Sequence, residues 1–165
     1  MLHPKVSVTD PSSTATGRLG PYSLAAGADG RIPGWNSITA PTTLADKSGV
    51  GTYTTIVTLP SDWTSDHGAY LNLGSVLDTV RVNVNGQDLP PVNFSDLSRI
   101  DIGPYLHEGD NTIEVRVAST LLNAVRVAPN TGAQNRARQN YGLMGPVQFI
   151  PYGQATIQPG KQRVK

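Results

Sequence analysis

The chain has 165 residues, 13 of them basic and 12 acidic, and its formal net charge of +1 argues against binding to nucleic-acid phosphates or anionic membranes. The absence of cysteine excludes disulfide bonds and thiolate metal sites, and no stretch approaches the roughly 20 apolar residues of a membrane-spanning helix. With 17 glycines and 13 prolines, the composition favours one domain of short strands joined by turns, with little helix.

Changes in composition divide the chain into three parts. Residues 1–18 are rich in Ser, Thr, Gly and Pro and predict a flexible N-terminal segment or linker, residues 19–153 predict the folded domain, and residues 154–165 predict a solvated tail. Within the domain, Leu19–Leu24 predicts an edge strand because Pro21 cannot donate to a sheet ladder. Trp35 follows a Pro-Gly pair and predicts a single turn whose indole fills one end of the core.

Three successive segments show the alternation of a half-buried strand. They are Gly51–Leu59, Tyr70–Gly74 and Val76–Val84. Alternate side chains of a strand point to opposite faces, and β-branched residues suit the pleated backbone. In the first segment Tyr53, Thr55, Val57 and Leu59 share one face, and the predicted inward side chains of the other two are Ala69, Leu71, Leu73, Val76, Val80, Val82 and Val84.

Two turns and two further strands complete the predicted domain. Asn85-Gly86 has the chemistry of a type I′ hairpin turn, and a Gly-Asp-Asn turn at 109–111 precedes the strand Thr112–Ala118. The last strand, Val147–Tyr152, contains Pro151 and is therefore predicted to lie at an edge. The pattern predicts an all-β sandwich of two antiparallel sheets.

A string of these motifs resembles the sugar-binding domain of family 2 glycoside hydrolases, and most of all its version in the C-terminal part of family 106 enzymes, which include α-L-rhamnosidases. The motifs that carry the resemblance are Ser48–Tyr53, Leu59-Pro60, Leu71–Gly74, Asp78–Gly86, Leu106–Val117 and Tyr141–Val147. The resemblance covers roughly residues 35–152. It implies a galactose-binding-like jelly roll that accompanies a catalytic domain in a larger chain, and in such families some modules bind sugars and some hold a structural calcium ion.

The long connection from Leu121 to Gly145 is the predicted contact surface, because connections of this length are commonly functional or mobile. Sugar binding needs an aromatic surface for the C–H face of the ring and polar groups for its hydroxyls. The aromatic candidates are Trp35, Trp63, Tyr70 and Tyr141, with Tyr141 the preferred platform, and the polar candidates are Asn123, Gln134, Asn135, Arg136, Arg138 and Asn140. Core packing is the competing interpretation for each tryptophan.

The sequence nominates no catalytic group. Glycoside hydrolysis needs a pair of carboxylates across the bond, and Asp62 and Asp66 beside His67 read as an ordinary loop. The three histidines lack the spacing of zinc ligands, whereas a calcium site is left open and unassigned.

Three hypotheses remain at this stage. The first is a non-catalytic carbohydrate-binding or accessory domain of a secreted, extracellular glycosidase acting on plant-type or rhamnose-containing polysaccharide, which is monomeric and needs no cofactor. The second is a structural domain that docks onto the catalytic domain without binding sugar. The third, a freestanding hydrolase, has the least support because no carboxylate pair is evident.

Overall fold

A computed structural model describes residues 5–9, 18–23, 28–29, 31–38 and 44–155 of the chain. These residues form the strands β1 (Lys5–Thr9), β2 (Arg18–Ser23), β3 (Val50–Leu59), β4 (His67–Asn72), β5 (Ser75–Leu77), β6 (Thr79–Val84), β7 (Gln87–Asp88), β8 (Ile100–Asp101), β9 (Gly109–Ala118), β10 (Gly142–Gly145) and β11 (Gln148–Gly153). One short helix, α1 (Leu122–Val127), and two single 3-10 turns, Trp35–Ser37 and Gly103–Tyr105, accompany them. Among the described helices, none has the length and hydrophobicity required to cross a membrane.

One layer of the molecule is an antiparallel sheet of six strands in the order β2-β1-β3-β9-β6-β7. Its centre is the pairing of β3 with β9, which runs without a break from Val50 opposite Ala118 to Leu59 opposite Gly109. Alternate side chains of the central strands point into the core, and Tyr53 and Leu59, predicted to share one face, are both buried. The buried apolar side chains of β6 and β9 are Val80, Val82, Val84, Ile113, Val115 and Val117.

The second layer is one long antiparallel pairing with an interruption. Strand β11 pairs with β4, β10 pairs with β5, and the interruption falls at Gly74 and Pro146, so that two short sheets continue one another. Strand β8 pairs with the other edge of β4. The predicted inward residues Ala69, Leu71 and Leu73 are completely buried and join one core with the first layer. The predicted antiparallel β-sandwich is therefore confirmed, with its second layer divided into two sheets.

The predicted strand Val76–Val84 is wrong in one respect, because it is two strands that belong to different layers. Asp78 between β5 and β6 has a φ of 79°, in the left-handed region, where a non-glycine residue cannot continue a regular strand. Its Oδ2 accepts a hydrogen bond of 3.1 Å from the Thr120 backbone N–H. A periodicity of two runs through both halves, so the alternation alone does not reveal the change of layer.

The predicted N-terminal boundary also needs correction. Strand β1 lies within residues 1–18, where a linker was expected, and it pairs with both β2 and β3. The predicted edge strand at Leu19–Leu24 is confirmed as β2, which ends the six-stranded sheet. The predicted tail lies outside the described residues from residue 156 onward.

The predicted hairpin turn at Asn85-Gly86 is confirmed. These two residues have φ values of 52° and 83°, and they connect Val84 directly to its ladder partner Gln87. The Asn85 side chain also donates to the Oδ1 atom of the buried Asn111, over 2.8 Å. The predicted turn at 109–111 is wrong, because these residues begin β9, and the Asn85 side chain ties the hairpin turn to them.

A buried hydroxyl links the two layers at one end of the sandwich. Tyr53 on β3 accepts hydrogen bonds from the Trp35 indole Nε1–H at 2.9 Å and from the backbone N–H of Leu143 on β10 at 3.0 Å. The Trp35 ring has no exposed surface, and a Cβ atom at Gly51 or Gly142 would stand within 2.8 Å of it. Since Gly142 has a φ of 114°, only glycine suits that position.

Replacing Tyr53 by Phe should lower the free energy of unfolding by about 2–4 kcal/mol, because each of two buried donors would lose its partner at about 1–3 kcal/mol. Urea denaturation followed by circular dichroism measures the change. The matched control is Tyr105→Phe, which removes a hydroxyl that has no hydrogen-bond partner among the described residues and should change stability by less than about 0.5 kcal/mol. Equal stabilities of the two variants would contradict the role given to Tyr53.

Candidate functional site

The predicted contact segment from Leu121 to Gly145 is more ordered than a simple loop. It contains α1 and β10, and the Asn123 side chain fixes it from inside the protein. The Asn123 amide donates to the carbonyls of Ala45 and Gln139 and accepts from the Gln139 N–H, and it is fully buried. The prediction of Asn123 as a sugar ligand is therefore wrong, because its polar atoms bind the backbone.

Tyr141 and Trp35 are also wrong as sugar platforms. Tyr141 is 1% exposed and Trp35 is 0% exposed, and their rings meet edge to face with centroids 6.1 Å apart. The Tyr141 hydroxyl hydrogen-bonds with Thr120 and donates to Gln139 Oε1 over 3.1 Å. A stacking platform needs an open ring face, and both of these rings face the core.

The remaining predicted polar residues lie on the surface of this segment, and several contact the protein itself. The Arg138 guanidinium donates to both carboxylate oxygens of Asp46 at 2.7–3.0 Å. Gln134 donates to the Ala128 carbonyl at 3.1 Å, and Asn140 accepts from the Asn36 N–H at 3.3 Å. The side chains of Asn135 and Arg136 are exposed. Among the residues that the structure describes, no exposed aromatic ring accompanies these polar groups.

Trp63, one of the two remaining predicted aromatic residues, lines a cleft of about 570 Å³ at the other end of β3. This volume lies within the range of about 300–1,000 Å³ that is typical of small-molecule sites. We call it the aromatic cleft, and its principal side chains are those of Trp63, His67, Asp101, His107, Glu108 and Tyr152. They come from four separate parts of the chain.

Backbone contacts hold the Trp63 wall of the aromatic cleft in place. The Trp63 N–H donates to the Pro60 carbonyl and closes the turn that follows β3. The half-buried indole lies against the imidazole of His67, with ring centroids 5.3 Å apart, and against Phe149 at 6.5 Å. The wall is also tied to the end of β11, because Gln154 donates to the carbonyls of Asp66 and Ser65.

Tyr152 forms the opposite side of the aromatic cleft and is held by Asp101. Its hydroxyl donates to Asp101 Oδ1 over 2.9 Å, and the Gly103 N–H donates to the same oxygen over 3.0 Å. The ring lies directly over Gly68, where a Cβ atom would come within 2.3 Å of it. Burial, this hydrogen bond and the charge of Asp101 raise the pKa of Tyr152 to about 12, so the phenol stays protonated at neutral pH.

The two histidines of the aromatic cleft present defined donors and acceptors. The Thr64 N–H donates to His67 Nδ1 at 3.2 Å, so the neutral imidazole carries its proton on Nε2. His107 Nδ1 lies 2.6 Å from the Glu108 carbonyl oxygen, which only accepts, so this ring carries its proton on Nδ1. With the carboxylates, these groups supply both donors and acceptors around two aromatic surfaces, and such an arrangement suits a polyhydroxylated ring.

The described residues contain no group of three or more His, Asp or Glu side chains that could hold a metal ion. These side chains therefore identify no residues for the calcium site that the sequence left open.

Sequence reasoning missed Tyr152 and Asp101 and assigned His67 to an ordinary loop. The sequence did contain one indication of this site. The predicted alternation places Tyr70 and Tyr152 on the solvent-facing side of their strands. In the structure their rings stack with centroids 4.7 Å apart. Two aromatic side chains on a wet face indicate a surface kept for contact.

Comparisons with solved structures find this fold as part of much larger chains. A rhamnosidase from Novosphingobium sp. is similar with a TM-score of 0.67 and 22% identity, over 92% of this chain and 15% of that chain. An FMN-binding beta-glucuronidase from Facaelibacterium prausnitzii is similar with a TM-score of 0.50 and 18% identity, over 90% of this chain and 21% of that chain. At these identities the likeness establishes the fold. No protein-family model and no curated protein match the sequence.

Replacing Asp101 by Asn should lower the pKa of Tyr152 from about 12 toward the ordinary value of 10.0, because the charge that opposes tyrosinate formation is removed. Ultraviolet difference titration measures tyrosinate, and Tyr152→Phe identifies the step that belongs to this residue. Glu108→Gln is the control, because it removes a carboxylate of the same cleft that is not bonded to the hydroxyl. If the titration step of Tyr152 stays at about pH 12 in Asp101→Asn, Asp101 does not raise the pKa of Tyr152.

Proposed function

We propose that this chain is a non-catalytic carbohydrate-binding domain of a glycoside hydrolase, with a galactose-binding-like jelly roll, and that it binds sugar in the aromatic cleft. The observation that carries the proposal is the pairing of Trp63 and Tyr152 with His67, Asp101 and Glu108 around one cleft. Aromatic faces accept the C–H face of a pyranose, and the surrounding donors and acceptors hydrogen-bond with its hydroxyls. This location differs from the surface predicted from sequence, the segment from Leu121 to Gly145.

The similar structures support the association with a glycosidase. Both are glycoside hydrolases by name, and this chain spans 15% and 21% of their lengths, which is what an accessory domain of a larger enzyme would cover. We propose further that the parent enzyme is secreted and acts on plant-type or rhamnose-containing polysaccharide, and the name of the rhamnosidase neighbour supports only the choice of rhamnose. The identity of the sugar that this domain binds is likewise a proposal.

Docking onto a catalytic domain is a second candidate function, and the segment from Leu121 to Gly145 favours it. Leu121 and Val127 are 62% and 60% exposed, although the segment around them is held by buried and surface hydrogen bonds. Ordered surfaces that present large apolar side chains are typical of protein contacts. This function uses the other end of the sandwich and is compatible with sugar binding.

A glycan array followed by calorimetric titration tests the carbohydrate proposal. We expect a dissociation constant in the range of about millimolar to micromolar, as is usual for a shallow site with few contacts. Trp63→Ala should weaken binding about tenfold or more because the aromatic surface is lost, and the exposed variant Glu108→Gln should weaken it without affecting the fold.

Asn135→Ala and Arg136→Gln are the controls, since they change exposed residues at the distant segment and should leave glycan affinity unchanged. A folded protein that binds no glycan on the array would contradict the proposal. If the two control variants bind glycan more weakly and Trp63→Ala binds it fully, the binding site is the segment from Leu121 to Gly145 and not the aromatic cleft. Hydrolysis of nitrophenyl glycosides by the chain alone would contradict its non-catalytic character.

The docking function predicts that Leu121→Ser combined with Val127→Ser lowers affinity for the catalytic part of the accompanying glycosidase about tenfold, as measured by surface plasmon resonance. Both side chains are exposed, so stability should change by less than about 0.5 kcal/mol. Glycan affinity at the aromatic cleft is the internal control and should not change. Full affinity of the double variant for the catalytic part would contradict docking through these side chains.

A further inference from the structure

Asp101 lies between two clefts. The aromatic cleft is on one side, and on the other is a cleft of about 370 Å³ that we call the proline cleft. The proline cleft has an apolar wall formed by residues 89–92 and a polar side formed by Asn93, Asp96 and Arg99, and Asp101 lines it as well. A shared side chain places the two openings next to each other on the same surface.

A row of stacked groups connects the two clefts. Tyr152 lines the aromatic cleft, and its ring lies 4.7 Å from that of Tyr70. The guanidinium carbon of Arg99, which lines the proline cleft, lies 4.7 Å from the centre of the Tyr70 ring. Tyr70 and Asp101 face each other in the β4–β8 ladder, so regular backbone pairing supports the middle of this row.

The polar groups along the row have unused hydrogen-bonding capacity. Both hydrogen bonds that Asp101 accepts from described residues go to Oδ1, so Oδ2 is open to a donor. Within the described part of the chain, Arg99 forms no salt bridge, and its contact with the ring of Tyr70 leaves its N–H groups for hydroxyl acceptors. Asp96, in contrast, is engaged, since its Oδ1 accepts from the N–H and hydroxyl of Ser98.

We infer that the two clefts form one groove that binds an oligosaccharide across Asp101, with at least one sugar ring in each cleft. The inference rests on the proposed carbohydrate function and extends it from a single ring to a chain. The apolar wall at residues 89–92 takes one face of the second ring, and Arg99 and Asp101 bind hydroxyls at the junction.

The charges along the groove select a neutral chain. Asp96, Asp101 and Glu108 contribute three carboxylates, against the one guanidinium of Arg99. A sugar carboxylate next to Asp101 would meet like charge, which is unfavourable. Neutral hexoses and deoxyhexoses avoid this repulsion, whereas uronic acids meet it in either cleft.

Titration calorimetry with neutral sugars of increasing length tests the inference on the whole chain. The probes are malto-, xylo-, galacto- and rhamno-oligosaccharides of one to four residues, with oligogalacturonides of the same lengths as the charged comparison. For the neutral series that binds, affinity should rise about tenfold or more from the monosaccharide to the di- or trisaccharide and then level off. Oligogalacturonides should bind at least about tenfold more weakly than the neutral series.

Arg99→Gln separates the two clefts. It should lower trisaccharide affinity about tenfold and monosaccharide affinity much less, whereas Trp63→Ala should lower both about equally. Arg136→Gln is the matched control, because it removes an exposed arginine far from the groove and should change neither. Backbone amide shifts in NMR spectra give a second measure, and those of Val92 and Asn93 should move with the trisaccharide but not with the monosaccharide.

The outcomes separate this inference from the proposed function. Monosaccharide binding that does not strengthen with length, and that Arg99→Gln does not affect at any length, overturns the groove and leaves a single-ring site in the aromatic cleft. No binding of any probe by the folded chain overturns both. Tighter binding of oligogalacturonides than of neutral chains overturns the assignment of a neutral occupant.

Discussion

The buried hydroxyl of Tyr53 is the constraint on which the arrangement of the molecule depends. It accepts from Trp35 and from the backbone of Leu143, and thereby connects β3 of one layer to β10 of the other. Aromatic rings fill that end of the sandwich, including Tyr141, while the aromatic cleft opens at the end of β3 that leads to Trp63. Because buried aromatic rings close one end of the sandwich, the cleft that could accept a ligand lies at the opposite end.

The strands were largely predictable because alternation is a local property of the chain. Inward positions such as Ala69, Leu71 and Val82 followed directly from a period of two, since a slip of one residue would expose them all. The change of layer at Asp78 was not predictable in this way. It depends on one backbone angle, and the hydrophobic pattern on its two sides is the same.

The candidate site was less predictable because its residues meet only through long-range pairing. Tyr152 reaches Asp101 because β11 and β8 flank β4, and no local pattern specifies that order. The segment with Asn123 and Tyr141 drew attention by its polar composition and its length. Composition does not distinguish an amide that binds a ligand from one that binds a carbonyl inside the protein, and Asn123 does the latter.

Gln154 makes the shape of the aromatic cleft depend on the point where the chain leaves the sandwich. Its backbone and side chain hold the carbonyls of Asp66 and Ser65, next to the Trp63 turn. Trimming the polypeptide at residue 153 would remove both hydrogen bonds, so the exit of the chain from the sandwich and the wall of the opening form one bonded unit.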